Sequence, residues 1–153
     1  IIDVCIDEDY QEDPCLIPGS VRHPFNKIEQ LTETLQDKRV VVVCQKGKKL
    51  SQGSAALLRA KGIKTETLAG GIYAWRDAGA MLIPAMAIPG ENATGGTRWV
   101  TRQRPKIDRI ACPWLIKRFV DPAATFMFVA PSDVIEVADR FDATPFDVVG
   151  VSE

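Results

Sequence analysis

The feature that most constrains the fold of this chain is an unbroken β-branched run that ends in a cysteine. Four valines, Val40–Val43, precede Cys44, and a short glycine- and lysine-rich stretch then leads into a helix predicted over residues 51–61. A strand without polar positions is buried on both faces, which is typical of the centre of a parallel sheet. The run therefore predicts a parallel sheet with helices on both faces.

Neighbouring segments repeat this alternation of strand and helix. Asn26 can cap a helix with Glu29 as its capping-box partner, and the helical spacing of leucines predicts that helix to about residue 36. Gly62 is the predicted stop of the 51–61 helix. Strands are predicted over residues 1–6, 21–23 and 64–68, and a short helix over 70–75. We predict a doubly wound α/β domain.

The chain divides into two parts of different character. Residues 85–97 are glycine-rich without helical or strand periodicity and are predicted to be a linker between a domain at 1–84 and a second segment at 98–153. In that segment we predict a helix over 105–120 that breaks at Pro113. A strand at 125–129, a helix at 132–141 that Ser132 caps and a strand at 146–149 follow. So short an α+β segment is expected to be truncated.

Bulk composition restricts the functional classes. No apolar run approaches the roughly 18 residues of a membrane span, and no secretory leader is visible, so we predict a cytoplasmic protein without a membrane partner. None of the four cysteines forms a C-x-x-C pair and there is one histidine, which excludes the usual zinc spacings. We predict neither a metal nor a cofactor. The oligomeric state stays open.

Cys44 lies where a buried strand turns into a helix, and this position favours a thiolate. The backbone N–H groups of such a loop can form an anion-binding nest, and the following helix adds the positive end of its dipole. Loop lysines add full charges, and a thiolate in such a cup suits persulfide chemistry. We predict Cys44 as the nucleophile, and as substrate-binding residues Gln45, Lys46, Gly47, Lys48, Lys49 and Leu50.

Four segments together resemble rhodanese domains in order and spacing. They are Ile-Asp-Val at 2–4, Ile-Pro-Gly-Ser-Val at 17–21, Val-Val-Cys-x-x-Gly at 42–47 and Leu-Ala-Gly-Gly-Ile-Tyr-Ala-Trp at 68–75. The resemblance covers about residues 1–84 and implies sulfurtransferase chemistry at Cys44, with an anionic sulfur donor such as thiosulfate. It also implies that a strand and a helix that usually precede Ile1 are missing.

Three departures from the rhodanese pattern matter. Cys5 stands where these domains often have an arginine, and it is a candidate to resolve a Cys44 persulfide, although a packed strand cysteine is the simpler interpretation. Lys49 replaces an Arg or Thr near the end of the loop. The loop is one residue longer than usual, as in the related phosphatases and arsenate reductases, but their terminal arginine is absent, which disfavours that branch.

A second resemblance begins after the predicted linker. The run Arg-Pro-Lys-Ile-Asp-Arg-Ile-Ala-Cys-Pro-Trp at 104–114 looks like the start of the C-terminal domain of chromate resistance protein ChrB, which implies a role in chromate resistance. Ile107, Ile110, Trp114 and neighbouring apolar residues are spaced as a core stripe of a helix. The cations of this segment fall on a different face. We predict a candidate site for chromate or sulfate formed by Arg102, Arg104, Lys106 and Arg109.

Two other functions compete with the sulfurtransferase. In the first, the rhodanese fold binds an oxyanion or senses redox state without catalysis. In the second, the protein is a DNA-binding regulator; residues 98–118 hold seven cations against one acid, but no recognition-helix motif accompanies them, so nucleic acid is not the predicted partner. Persulfide formation at Cys44 discriminates the transferase from both.

Overall fold

The structure is a computed structural model, and it describes residues 1–90, 96–104 and 106–148. The chain divides into two compact units, Ile1–Ala85 and Met86–Glu153. Among the described helices, none has the length and apolar character that a membrane span requires.

The first unit is built on a four-stranded parallel sheet. Its strands lie in the order β3 (Val21–Arg22), β1 (Ile2–Asp3), β4 (Arg39–Val43) and β5 (Lys64–Thr67). An antiparallel pair of short strands, β2 and β6, accompanies it. Its elements in chain order are β1 (Ile2–Asp3), α1 (Asp7–Glu12), β2 (Cys15–Leu16), β3 (Val21–Arg22), a 3₁₀ helix (Phe25–Leu31), β4 (Arg39–Val43), α2 (Lys49–Ala60), β5 (Lys64–Thr67), α3 (Gly71–Asp77) and β6 (Ile83–Pro84).

The valine run forms the predicted inner strand of this sheet. β4 lies between β1 and β5, and Val42 and Val43 are fully buried. Helix α2 buries Ala55 and Leu58 in the same core, and Gly62 follows it with a left-handed φ of +81°. The prediction of a mixed α/β fold with parallel sheets is therefore confirmed, because a β-branched strand without polar positions requires cover on both faces.

The helix predicted over 26–36 is wrong in type and length. It is a 3₁₀ helix over Phe25–Leu31, and Asn26 does not cap it, since the helix begins after Pro24 without a side-chain cap. Thr32 and Thr34 bond through their hydroxyls to the carbonyls of Glu29 and Leu31, at 2.6 and 2.9 Å. Such local bonds compete with a regular α-helix, which explains the difference.

The second unit has its own sheet of three parallel strands. They lie in the order β8 (Thr125–Val129), β7 (Arg98–Arg102) and β9 (Thr144–Pro145). Helix α5 packs on β7, and the core includes Val100, Val134 and Ala138. Its elements are β7 (Arg98–Arg102), α4 (Ile107–Leu115), a π-helical turn (Ile116–Val120), β8 (Thr125–Val129), a 3₁₀ turn (Pro131–Asp133), α5 (Val134–Phe141) and β9 (Thr144–Pro145).

Several boundaries in the second half differ from the prediction. The segment predicted as a linker begins with a 3₁₀ turn at Ala85–Ala87, while residues 91–95 lie outside the described residues. Ser132 does not cap α5, which begins after Asp133. The last strand is β9 rather than 146–149, and Val149 lies outside the described residues. The central strand β7, at Arg98–Arg102, was not predicted.

Pro113 does not break its helix. It lies inside α4, and the chain then widens into a π-helical turn. Proline removes one intrahelical donor and crowds the preceding turn, and a wider turn is one way for a helix to absorb such a defect.

The predicted core stripe of α4 is exposed. Ile107, Ile110 and Trp114 are 82%, 62% and 61% exposed, whereas Arg109 is the buried residue of the helix. The sheet core is filled by side chains of α5 instead. Helical periodicity correctly indicated that these apolar residues share one face of α4. That face is exposed, and the opposite one is turned inward by the ion pair of Arg109 described below.

Candidate active site

Cys44 is the first residue after the inner strand β4, at the carboxyl edge of the parallel sheet. Its side chain is buried, with the residue 5% exposed. Loops at this edge are where parallel α/β folds bind ligands. The residue predicted as the nucleophile therefore lies at the position in the fold where chemistry is expected.

The loop after Cys44 is held in place by the start of helix α3. The N–H groups of Ile72 and Tyr73 donate to the carbonyls of Cys44 and Gln45, at 3.2 and 3.1 Å. The first N–H groups of a helix have no partner within the helix. These bonds therefore provide acceptors for the start of α3 and donors for the carbonyls of the cysteine loop. Because C=O and N–H of a trans peptide point in opposite directions, the N–H groups of Gln45 and Lys46 are turned away from α3.

Two glycines make this docking possible. Gly47 and Gly71 both have a left-handed φ, +63° and +64°. A Cβ on Gly71 would lie 2.1 Å from the carbonyl oxygen of Cys44 and 2.4 Å from the nitrogen of Gly47. Neither position admits a side chain, because backbone meets backbone there. Sequence analysis quoted Gly71 only within the family motif; the structure shows that it supports the loop.

Backbone donors remain available in the loop. Within the described part of the chain, the N–H groups of Lys46, Lys48 and Lys49 donate to no protein acceptor. They stand between Cys44 and the start of the twelve-residue helix α2. Such a series of N–H groups at a helix start can hold an anion or a sulfur atom close to the cysteine.

Ser51 is a site residue that sequence reasoning missed. It is fully buried in the first turn of α2, and its Oγ accepts a hydrogen bond from the Cys44 Sγ at 3.3 Å. The Ser51 hydroxyl donates to the Lys48 carbonyl at 3.2 Å. By rotating, this hydroxyl can donate to a thiolate instead. Its place as the only hydroxyl at the end of the loop was the signal that could have identified it.

The predicted substrate-binding side chains have different surroundings. Lys46, Lys48 and Lys49 are exposed, and no ion pair among the described residues involves them. Gln45 is buried and donates to Glu12 at 3.1 Å, so its amide is occupied by the protein. Leu50 packs against the hydrophobic core. The lysines and the backbone are therefore the parts of the predicted set that remain available to a ligand.

Cys5 lies at the end of β1, beside the strand that carries Cys44. Burial, followed by the negative charge of the Asp3 carboxylate, raises the pKa of the Cys5 thiol. The neighbouring Cys44 contributes to this increase, while the backbone N–H of Gln45 acts against it. Cys44 is thus close enough to Cys5 to affect its thiol electrostatically.

The predicted oxyanion residues do not converge on an open site. Arg109 bonds to the Asp147 carboxylate at 2.6 Å, and Arg102 reaches the same oxygen at 3.3 Å. Burial alone would raise the pKa of Asp147, but these two guanidinium groups hold it below its ordinary value. Arg104 offers only its carbonyl to Arg109, at 3.1 Å, and Lys106 is exposed. Asp147, which sequence reasoning missed, is the internal anion of this cluster.

Comparison with known proteins agrees with the division of the chain into two units. A rhodanese-like domain matches residues 1–78, and the ChrB C-terminal domain matches residues 99–152. Protein ChrB of Cupriavidus metallidurans is 32% identical over 138 residues, which make up 82% of this chain and 41% of that protein. The chain thus spans less than half the length of this relative.

Solved structures resemble part of the chain. A Rhodopseudomonas palustris protein of unknown function, described as a possible tyrosine phosphatase, is 26% identical, with 53% of this chain and 67% of that chain covered and a TM-score of 0.48. A Bacillus halodurans protein is 30% identical, with 56% and 63% covered and a TM-score of 0.47. From the family matches, we conclude that the chain belongs to the rhodanese-like family and that residues 99–152 are similar to the ChrB C-terminal domain.

Proposed function

We propose that the first unit is a sulfurtransferase in which Cys44 carries sulfane sulfur as a persulfide. The observation that supports this most is the immediate surroundings of the cysteine. Cys44 Sγ contacts the Ser51 hydroxyl, and the N–H groups that follow it in the loop have no acceptor among the described residues. These donors can stabilise first a thiolate and then the outer sulfur of a persulfide.

The proposed reaction has two displacement steps. The Cys44 thiolate attacks the sulfane sulfur of thiosulfate, the S–S bond of thiosulfate breaks, and sulfite leaves with the bonding electron pair. The persulfide Cys44–S–S⁻ then gives its outer sulfur to a second nucleophile, such as cyanide, and the thiolate is restored. Exposed Lys46, Lys48 and Lys49 attract the dianionic donor to the loop.

The test uses the whole chain in reduced form. With thiosulfate and cyanide, the wild type should produce thiocyanate, and without cyanide its mass should increase by one sulfur atom. Cys44→Ser should lose both properties. Cys15→Ser is a matched control, because Cys15 is equally buried in the same unit but bonds to Arg76 and not to the loop. Absence of thiocyanate and of the sulfur adduct in the wild type would overturn the proposal.

A second candidate is a non-catalytic oxyanion or redox sensor. It is favoured by the burial of Cys44, which is 5% exposed, beside backbone N–H groups that can hold an anion without any reaction at the sulfur. In either case we propose that the protein acts in chromate resistance in the cytoplasm, in line with its ChrB C-terminal domain. Expression of the wild type in a chromate-sensitive bacterium should restore tolerance; Cys44→Ser should fail to do so if sulfur transfer is required.

A further inference from the structure

Two cysteines stand at the same edge of the sheet of the first unit. β1 pairs with β4 so that Asp3 is opposite Val43, and the Val4 N–H donates to the Val43 carbonyl at 2.9 Å. Cys5 and Cys44 follow these residues with an offset of one position. A strand spacing of about 4.8 Å and a rise of about 3.3 Å give roughly 6 Å between two such Cα atoms. Disulfides need about 4.4–6.8 Å between Cα atoms and side chains that face each other. Both cysteines lie beyond the last paired residues, Asp3 and Val43, so the alternation of side chains along the strands does not fix their directions.

The surroundings of Cys5 connect it to the loop of Cys44. The backbone N–H of Gln45, the residue directly after Cys44, lies close enough to the Cys5 sulfur to act against the increase of its pKa. Cys5 is 7% exposed, so bulk solvent and large reagents do not reach it easily. The closest electrophilic sulfur available to Cys5 would be one attached to Cys44.

Asp3 has a carboxylate oxygen without a hydrogen-bond partner beside this thiol. Asp3 is 1% exposed; its Oδ1 accepts the Cys5 backbone N–H at 2.8 Å, while its Oδ2 has no partner within the described part of the chain. A buried polar atom without a partner is costly and requires an explanation. An acceptor for the Cys5 proton gives this oxygen a function.

We propose that Cys5 resolves the Cys44 persulfide, with Asp3 accepting the Cys5 proton. This step rests on the proposed function. Cys5 sulfur attacks the inner sulfur of Cys44–S–S⁻, the Cys5–Cys44 disulfide forms, and the bond from Cys44 to the outer sulfur breaks. The proton passes through Asp3 to the departing sulfur, which leaves as HS⁻. In this step the Cys5 sulfur is oxidised and the outer sulfur is reduced to hydrosulfide, while the Cys44 sulfur keeps the oxidation state that it had in the persulfide. No external oxidant is needed.

The consequence is a protein that releases hydrosulfide once and then stops. A thiol reductant must reopen the disulfide before Cys44 can accept sulfur again. Transfer to an external nucleophile and resolution by Cys5 thus compete for the same persulfide. The supply of acceptor decides which of the two occurs.

The experiment loads the whole reduced chain with thiosulfate, removes the donor and follows it without any added thiol. In the wild type, hydrosulfide should appear as the sulfur adduct disappears, and peptide mapping should find Cys5 joined to Cys44. In Cys5→Ser the adduct should form normally and persist, with hydrosulfide release slower by at least about tenfold. Cys15→Ser, a change at another buried cysteine of the unit, should behave as the wild type does.

Asp3→Asn separates the proton acceptor from a structural role. An amide oxygen can still accept the Cys5 N–H, so persulfide loading should be unchanged. Disulfide formation should be slower by about tenfold or more, because the general base is lost. A defect only in structure would reduce loading and resolution together. If Asp3→Asn fails to fold, Cys5→Ser and Cys15→Ser still test whether Cys5 resolves the persulfide.

The outcomes separate the two proposals. A wild type that never acquires the sulfur adduct contradicts the proposed function. A wild type whose adduct is as long-lived as that of Cys5→Ser, without a Cys5–Cys44 peptide, contradicts the resolving role alone and leaves the sulfurtransferase intact.

Discussion

The two units use positive charge in opposite ways. In the first, three exposed lysines surround a loop whose backbone donors have no protein acceptor among the described residues. In the second, Arg102 and Arg109 are bonded to Asp147. Both regions were predicted as anion sites, the first from its loop backbone, the start of its helix and its lysines, the second from its cations. The comparison teaches that a cationic cluster remains available to a ligand only where the fold supplies no carboxylate of its own.

The largest effect on transfer activity is expected at Gly71, where backbone packs directly against the backbone of the cysteine loop. Gly71→Ala should place a methyl group against the Cys44 carbonyl and the Gly47 nitrogen, and Ala is also strained at a φ of +64°. Displacement of the loop by about 1 Å should reduce thiosulfate:cyanide transfer by about 100-fold. Steady-state kinetics on the purified variant would measure this.

Gly53→Ala is the control for that variant. Gly53 lies within α2 with open space around its Cα, so alanine should stabilise the helix by about 0.5–1 kcal/mol and leave transfer unchanged. Equal activity of Gly71→Ala and the wild type would show that the docking of α3 does not position the cysteine loop.

In the second unit the largest effect should come from the buried arginine. Arg109→Met would leave Asp147 without its principal partner, and we expect the free energy of unfolding to fall by about 1–3 kcal/mol. Hydrogen exchange of β7 amides is a suitable measurement, since it reports on this unit separately. Arg140→Met, which removes an exposed pair with Glu136, should cost less than about 0.5 kcal/mol.

The same pair predicts a dependence on pH. The pKa of Asp147 is lowered in the folded state, so its stabilising contribution is complete above the unfolded value and is lost as the pH falls through the folded one. Protection of β7 amides in the wild type should therefore decrease below about pH 4, and this decrease should be smaller in Arg109→Met, where Arg102 remains as the partner of Asp147. An equal decrease in Arg109→Met would contradict the pair as its cause.

A smaller effect is expected from the side chain that assists the backbone of the cysteine loop. Ser51→Ala removes the hydroxyl that contacts Cys44, which should reduce kcat/KM by about tenfold, equivalent to one hydrogen bond to a charged sulfur. Ser54→Ala alters a buried serine one turn further along the same helix and should be neutral for transfer. A defect of equal size in both variants would indicate a change in helix packing rather than a role at the sulfur.

The smallest effect should come from the loop lysines. Replacing Lys46, Lys48 and Lys49 by glutamine should raise KM for thiosulfate a few-fold, and more at low ionic strength, because exposed charges act by attraction over distance. Lys38→Gln with Lys64→Gln is the control, since both residues are exposed at the amino edge of the sheet. An unchanged KM at low salt would show that the backbone donors alone capture the anion.

Sequence alone determined the features that depend on local chemistry. A β-branched run without polar positions must be buried, so β4 was predicted as an inner parallel strand, and Cys44 at its end followed. The order of four motifs was enough to predict the rhodanese-like family. Errors in element type, such as the 3₁₀ helix at Phe25–Leu31, arose where threonine hydroxyls compete with the helix.

Only the tertiary structure decided which distant residues meet. The approach of Gly71 to the Cys44 loop joins residues 27 positions apart, and the bond between Arg109 and Asp147 joins residues 38 apart. Periodicity shows that α4 has an apolar face, but it does not show that the buried ion pair turns Arg109 inward and leaves Ile110 and Trp114 exposed. Such choices depend on long-range packing and charge neutralisation, which no local pattern in a sequence records.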